Sequence, residues 1–304
     1  MTTRPPLVSV VIPTYNRWPM IAEAVESVLT QTFNAFELII VDDGSTDNTA
    51  HLLRSGDSRL KVFSQPQAGV AAARNAGVAM SRGKYIAFLD SDDLWSPTKL
   101  AIQADFMERN SEVHISQTEE IWIRGGVRVN PKSRHRKPSG DIFRRSLELC
   151  LVSPSAVMMT KELFHWAGGF DESLPVCEDY DLWLRIAVGH SVFLIDSPLV
   201  TKRGGHADQL SRSLWGMDRF RVLAIAKLLR AGLVDEKKQW ALDALRQKTS
   251  ILAAGAAKRG KLDDARKFEA LLSEFLQGAG DDGTNHSGLC AEQEIPSADK
   301  GAMA

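Results

Sequence analysis

The sequence predicts an α/β protein built on a mainly parallel sheet with flanking helices, followed by a C-terminal helical extension. Three observations carry this. Short continuous runs of Val and Ile alternate with stretches of helical periodicity, polar clusters punctuate the ends of the apolar runs, and from about residue 215 the chain becomes rich in Ala, Leu, Lys and Arg.

The first strand is "LVSVVI", residues 7–12, and the second "ELIIV", residues 37–41; neither alternates, which suits strands covered on both faces. Between them Ile21, Ala24, Val25, Val28 and Leu29 recur at helical spacing, with Pro19 placed for the first turn. A helix near 46–54, a strand near 60–64, a helix through "GVAAARNAGVAMSRG" closed by Gly83, and the strand "YIAFL" continue the pattern. Strand and helix alternating in this way imply parallel pairing with helices on both faces. After a helix near 97–109, "EVHISQTEEIWIRGGVRVN" reads as strand material with Gly125-Gly126 as a hairpin turn. The basic stretch "PKSRHRKPSG" reads as a solvated loop, with contact to an acidic substrate as the alternative.

Residues 141–203 return to mixed helix and strand. The amphipathic helices that follow are expected to cover a core or an oligomer interface. The final stretch has few large apolar residues and is expected to be disordered. The expected organisation is therefore a main domain over 1–213, a helical extension over 214–278 and a tail over 279–304.

Composition narrows the function. With 44% hydrophobic and 25% charged residues among 304, the chain can bury a substantial core. A net charge of −1 argues against a nucleic-acid binder that neutralises many phosphates. Three scattered cysteines, Cys150, Cys177 and Cys290, suggest neither a disulfide framework nor a zinc cluster, so a reducing, cytoplasmic setting is expected. The N-terminal apolar run reads as a strand and not a signal peptide, and no window reaches the length of a membrane span. Peripheral membrane contact stays open.

The polar clusters "PTYN", "DDGSTD" and "DSDD" close the first, second and fourth strands. Ligands of open α/β sheets bind beyond the carboxyl ends of the strands, so all three clusters are expected on one rim. Asp90, Asp92 and Asp93 are the densest charge there. Two bare carboxylates about 4 Å apart repel by roughly 4 kcal/mol at an effective dielectric near 20, so a partner should compensate them. A solvated acidic turn is the plainer alternative.

Taken in order, "VSVVIPTYNR", "ELIIVDDGSTD", "GVAAARNAG", "GKYIAFLDSDDLW", "GGFDE" and "EDYDLWLR" closely resemble the family 2 glycosyltransferases, an inverting group with the GT-A nucleotide-diphospho-sugar transferase fold. The resemblance covers roughly residues 7–213. It implies that Pro13, Thr14, Tyr15 and Asp43 hold the nucleotide, and the residue types suit that role: Tyr15 offers a ring face to a base and Asp43 can accept an imide N–H. Asp90 and Asp92 match the family's DxD motif, implying Mn²⁺ or Mg²⁺ shared with the donor diphosphate, with Asp92 touching the nucleotide. Asp93 is left to orient a ligand or to cap the helix near Pro97. Within "CEDYDLWLR" the resemblance implies a general base, Asp179 first and Glu178 second, and His206 in "GGHADQLSRS" is a further candidate metal ligand.

Processive relatives carry QxxRW and membrane helices. Here Gln209 and Arg212 give a partial echo, with Ser213 at the Trp position, so single-sugar transfer is expected. The expected partners are a nucleotide sugar, UDP favoured, and a saccharide or glycolipid acceptor in cell-envelope synthesis, with homo-oligomerisation through the C-terminal helices an option. The acceptor side is expected between about 115 and 180; Trp122, Trp166 and Trp183 are read first as core residues, with sugar stacking as the alternative. Competing readings are a metal-dependent nucleotidyltransferase, disfavoured because "PTYNRWPM" is no Gly-rich phosphate loop, and a catalytically degenerate nucleotide-sugar-binding protein.

Overall fold

The first strand, β1 (Val8–Thr14), and the second, β2 (Phe36–Asp42), are buried along their whole lengths, as their unalternating sequences require. The computed structural model describes residues 5–49, 56–130, 132–205 and 216–276. Between β1 and β2, helix α1 (Met20–Leu29) turns Ile21, Ala24, Val25 and Val28 into the core. The helix expected at 46–54 lies largely outside the described residues.

Strand β3 (Leu60–Ser64) pairs parallel with β2, and β4 (Tyr85–Phe88) pairs parallel with β1. Helix α2 (Val70–Ala79) connects them. It lies so close to β1 that a Cβ on Gly77 would stand 2.3 Å from Val11 Cγ1, so only glycine fits.

Beyond β4 the parallel pattern ends. After the short β5 (Leu94–Trp95) and helix α3 (Lys99–Arg109) come β6 (Ile115–Arg124) and β7 (Val127–Val129), joined at the expected Gly125-Gly126 turn. Helix α4 (Phe143–Glu148), β8 (Val157–Thr160), α5 (Lys161–Trp166), α6 (Glu178–Gly189) and β9 (Phe193–Gly204) complete this half. The strand order is β3-β2-β1-β4-β8-β6-β9-β5, with β7 on β6. Strand β8 runs antiparallel to both β4 and β6, β9 runs parallel to β6, and β5 runs antiparallel to β9. The sheet is therefore parallel in its first half and mixed in its second.

Helices α7 (Asp218–Arg230), α8 (Asp235–Lys258) and α9 (Leu262–Leu276) give the helical C-terminal region. The chain divides into two compact units, 1–225 and 226–304. Within the second unit Ala253, Ala256 and Ala265 pack with Phe268, and Arg230 Nε lies 2.7 Å from Glu274 Oε1. The expected tail, 279–304, lies outside the described residues. No helix among them is long and apolar enough to cross a membrane.

Candidate active site

The loops after β1 and β2 are tied together before any ligand arrives. Asn16 takes a left-handed backbone (φ 50°), and its Oδ1 accepts the backbone N–H groups of Thr46 at 2.8 Å and Asp47 at 3.2 Å. Asp42 accepts from Ser45 N at 3.2 Å and makes the turn. Asp43 is buried and its Oδ1 accepts from Gln65 Nε2 at 2.8 Å and Ala68 N at 2.9 Å, while Oδ2 accepts from Gly69 N at 2.8 Å. A carboxylate has about four lone-pair positions, so Asp43 anchors the loop leading into α2 and keeps about one position for a further donor.

These loops open on a cleft of about 630 Å³. Pro13, Thr14, Tyr15, Asp43, Asp90, Asp92, Asp93, Glu178 and Asp179 all line it. Tyr15 is 38% exposed, so its ring is available to a ligand. His206, like Gln209, Arg212 and Ser213, lies outside the described residues.

Asp90, Asp92 and Asp93 each place a carboxylate oxygen within 4.8 Å of the others. Asp93 is buried, accepting from Arg203 N at 2.9 Å and from Ser155 Oγ at 2.7 Å. Burial pushes its carboxyl well up against the pull of Lys202, and Asp90 and Asp92 push the same way. Ser155 Oγ in turn accepts from Asp90 N at 3.1 Å, so Asp93 steadies the turn that aims Asp90. It does not cap α3, whose N-cap is Thr98. An oxygen-only donor set rich in carboxylates suits a hard divalent cation, with Asp90 and Asp92 as its holders and Asp93 as their support.

The residue that joins the two acidic groups was not singled out from sequence. Arg74 Nη2 donates to Asp90 Oδ1 at 2.7 Å and Nη1 donates to Glu178 Oε1 at 2.6 Å, with its guanidinium carbon 5.1 Å from the centroid of the Phe170 ring. Burial alone would weaken its charge, but Asp90, Glu178 and Asp179 hold the guanidinium protonated. A signal was present: Arg74 is the one charged residue in the ten of α2. Its neighbour Asn75 fixes the "GGFDE" turn, accepting from Phe170 N at 2.9 Å and donating to Phe170 O at 2.9 Å. Gly169 there has φ 70°, and a Cβ on it would meet Asn75 Oδ1 at 3.0 Å.

Glu178 and Asp179 open α6, where the helix dipole favours acids. Their environments differ. Glu178 is buried on Arg74, and burial together with Asp179 pushes its carboxyl up to about 7 although Arg74 pulls the other way. Asp179 Oδ1 accepts from Tyr180 N at 2.7 Å, and Cys150 Sγ lies 3.5 Å from Oδ2. Asp179 also lines a second, smaller cavity of about 160 Å³, with Lys202, Trp122, His135 and Cys150. The cavity's Glu120 and Lys137 pair at 3.0 Å, both nearly buried. Burial would raise Glu120, but Lys137 and Lys202 outweigh it and hold the carboxyl at about 2.

That pairing corrects one expectation. The "PKSRHRKPSG" segment is not wholly solvated, because Lys137 is buried beneath it and donates to Thr118 O at 2.9 Å. The tryptophans also part company: Trp183 is core, Trp166 is exposed and packs edge-on to His190 at 4.7 Å, and Trp122 is half-buried against the small cavity.

A parallel half-sheet joined to a mixed half, with flanking helices, is the GT-A class of fold, and here a tyrosine, an aspartate and an acid pair line its cleft. The family described as "Glycosyl transferase family 2" matches residues 9–165 of the 304, and the chain belongs to that family. It is 39% identical over 200 residues to an uncharacterized glycosyltransferase of Rickettsia felis, covering 63% of this chain and 32% of that protein. The chain thus spans about a third of that relative's length. It is 31% identical over 219 residues to the UDP-Glc:α-D-GlcNAc-diphosphoundecaprenol β-1,3-glucosyltransferase WfgD of Escherichia coli, covering 71% of this chain and 82% of WfgD. The crystal structure of S. aureus TarS 1-349 in complex with UDP-GlcNAc superposes with a TM-score of 0.63 at 19% identity, covering 89% of this chain and 92% of that one.

Proposed function

We propose that the chain is an inverting, non-processive glycosyltransferase that moves a sugar from a nucleotide-diphosphate donor, UDP favoured, to an acceptor hydroxyl. One observation carries this: Tyr15 and Asp43, the Asp90/Asp92 pair and the Glu178/Asp179 pair, drawn from distant parts of the chain, line a single cleft. Tyr15 stacks on the base, Asp43 accepts a base N–H, and Asp90 and Asp92 hold Mn²⁺ or Mg²⁺ against the diphosphate. When bound, that cation supplies Lewis-acid stabilisation of the departing nucleotide's charge.

Asp179 is the general base. It takes the proton of the acceptor hydroxyl as that oxygen forms its bond to the anomeric carbon and the bond to the diphosphate breaks on the opposite face. A base so positioned contributes on the order of 10²- to 10⁴-fold. Glu178 serves Arg74 instead, which supports Asp179 over it. The acceptor enters from the small cavity that shares Asp179 with the donor cleft. Its class follows WfgD in outline, a saccharide or glycolipid of cell-envelope synthesis.

Calorimetric titration with UDP, GDP and dTDP, each with Mn²⁺ and again with EDTA, tests the donor side. Metal-dependent binding of one nucleotide is the expected result. A folded sample that binds none of them overturns the reading.

A further inference from the structure

We propose that Lys202 binds the diphosphate of the donor and holds the charge that grows on it as the sugar leaves. The inference rests on the glycosyltransferase reading and adds to it a cation supplied by the chain itself.

Strand β9 sets the position of this residue. Side chains two apart in a strand share a face, so Lys202 lies on the face of Val200, a core residue. A lysine two places beyond a core valine turns its stem inward. It reaches the place where the two cavities meet: among the described residues, only Asp179 and Lys202 line both the large cleft and the small cavity. With Asp179 as the base, the bonds that form and break lie beside Lys202.

The ammonium is charged and largely unclaimed. Burial would weaken its charge, but Glu120, Asp93, Asp90 and Asp179 hold it protonated. It makes an ion pair with none of them, and each has other partners. Glu120 pairs with Lys137 and Asp90 with Arg74, Asp93 accepts from Ser155 and Arg203, and Asp179 accepts from Tyr180 N. The one hydrogen bond of the Lys202 ammonium among the described residues goes to Ser153 Oγ at 3.0 Å. An ammonium has three donors, so two remain. Two other cations of the cleft are committed elsewhere: Arg74 to Asp90 and Glu178, Arg203 to Glu23 and the Asp92 carbonyl.

Lys202 is half-buried, and a charged donor left unmet in such a place is costly, so its two N–H groups need acceptors from outside the chain. The donor's diphosphate supplies them, because Asp90, one of the two aspartates assigned to the metal that it shares, is among the acids whose charge acts on Lys202. As the bond from the anomeric carbon to oxygen breaks, its electron pair passes to the β-phosphate oxygen, while the acceptor oxygen bonds that carbon and its proton goes to Asp179. Lys202 donates hydrogen bonds and transfers no proton. A fixed cation beside an oxygen that gains charge stabilises the transition state more than the bound donor.

The test titrates UDP, UDP-glucose and UMP, each with Mn²⁺, into the full chain, into K202M, which keeps the stem without the charge, and into K202Q, which can still donate to Ser153. UDP bears the released oxygen with its extra charge, UDP-glucose has that oxygen esterified, and UMP lacks the second phosphate. We expect both variants to lose UDP affinity by about tenfold or more, UDP-glucose affinity by less, and UMP affinity by no more than about twofold. The readout is a ratio within each variant, so K202Q decides the matter should K202M fail to fold. Lys202 repels a cation held by Asp90 and Asp92, so its removal favours the metal and a loss of UDP affinity cannot be ascribed to weaker Mn²⁺ binding. Unchanged UDP affinity overturns the proposal, as does an equal loss for UMP, which marks a structural role. A larger loss for UDP-glucose than for UDP places Lys202 on the sugar and overturns it too. A folded wild type that binds none of the three overturns the glycosyltransferase reading itself, whereas wild-type binding of UDP confines any failure to Lys202.

Discussion

Arg74 and Glu178 stand 104 residues apart in the chain and 2.6 Å apart in the fold, and the same guanidinium reaches Asp90 at 2.7 Å. One buried cation thereby joins the acids after β4 to the acids that open α6, and fixes the distance between the two halves of the cleft.

Removing that cation should be costly. Arg74→Ala leaves Glu178 buried without its partner, a change worth about 3 to 5 kcal/mol, or about 6 to 20 °C in melting temperature for a unit of this size. Arg74→Lys keeps the charge but loses the fork, so it should recover part of the stability and little of the activity. An Arg74→Ala melting temperature within about 2 °C of wild type would show that the bridge does not hold the halves together.

Asp43 joins loop and ligand. Asp43→Ala strands the N–H groups of Ala68 and Gly69, at a cost of about 1 to 3 kcal/mol, so urea stability and UDP affinity should fall together. Loss of UDP affinity with an unchanged urea midpoint would assign Asp43 to the ligand alone.

Asp92→Asn should abolish Mn²⁺-dependent UDP binding while the melting temperature stays close to wild type. Near-normal transfer by this variant would remove Asp92 from the metal role.

The two acids of α6 should separate. Asp179→Asn should keep donor binding and lower turnover by about 10²-fold or more. Glu178→Gln should retain more turnover than Asp179→Asn and show its main effect on stability. The reverse order of turnover moves the base to Glu178.

Glu178 also predicts a pH dependence. Its carboxyl lies at about 7 in the fold against 4.5 ordinarily, so the native state holds the proton more tightly than the unfolded chain. Its contribution to stability is full below about pH 4.5 and is lost as pH rises through 7. Melting temperatures measured from pH 5 to 8 should fall more in wild type than in Glu178→Gln, and parallel curves would refute the shift.

Much of the sheet's first half was legible before folding, because short unalternating Val and Ile runs have few solutions other than buried parallel strands. The acids at 43, 90 and 92 stood out for a related reason, since each follows a strand at the rim where such sheets bind ligands, whereas Asp179 stood out only through the family resemblance. The turn at Gly125-Gly126 was equally local, a matter of backbone freedom in two consecutive residues.

The mixed half of the sheet was not legible, since strand direction depends on crossovers and partners that local periodicity does not encode. Neither was the division of labour among the acids. That Asp93 is buried on Ser155 and Arg203, that Glu178 belongs to Arg74, and that Asp179 stands between two cavities are facts of long-range contact. The sequence by itself determined which charged groups the protein owns and roughly where along the chain they punctuate its strands. Only the tertiary structure decided which are desolvated and paired and which face the cleft, because burial and counter-charge are set by residues a hundred positions away.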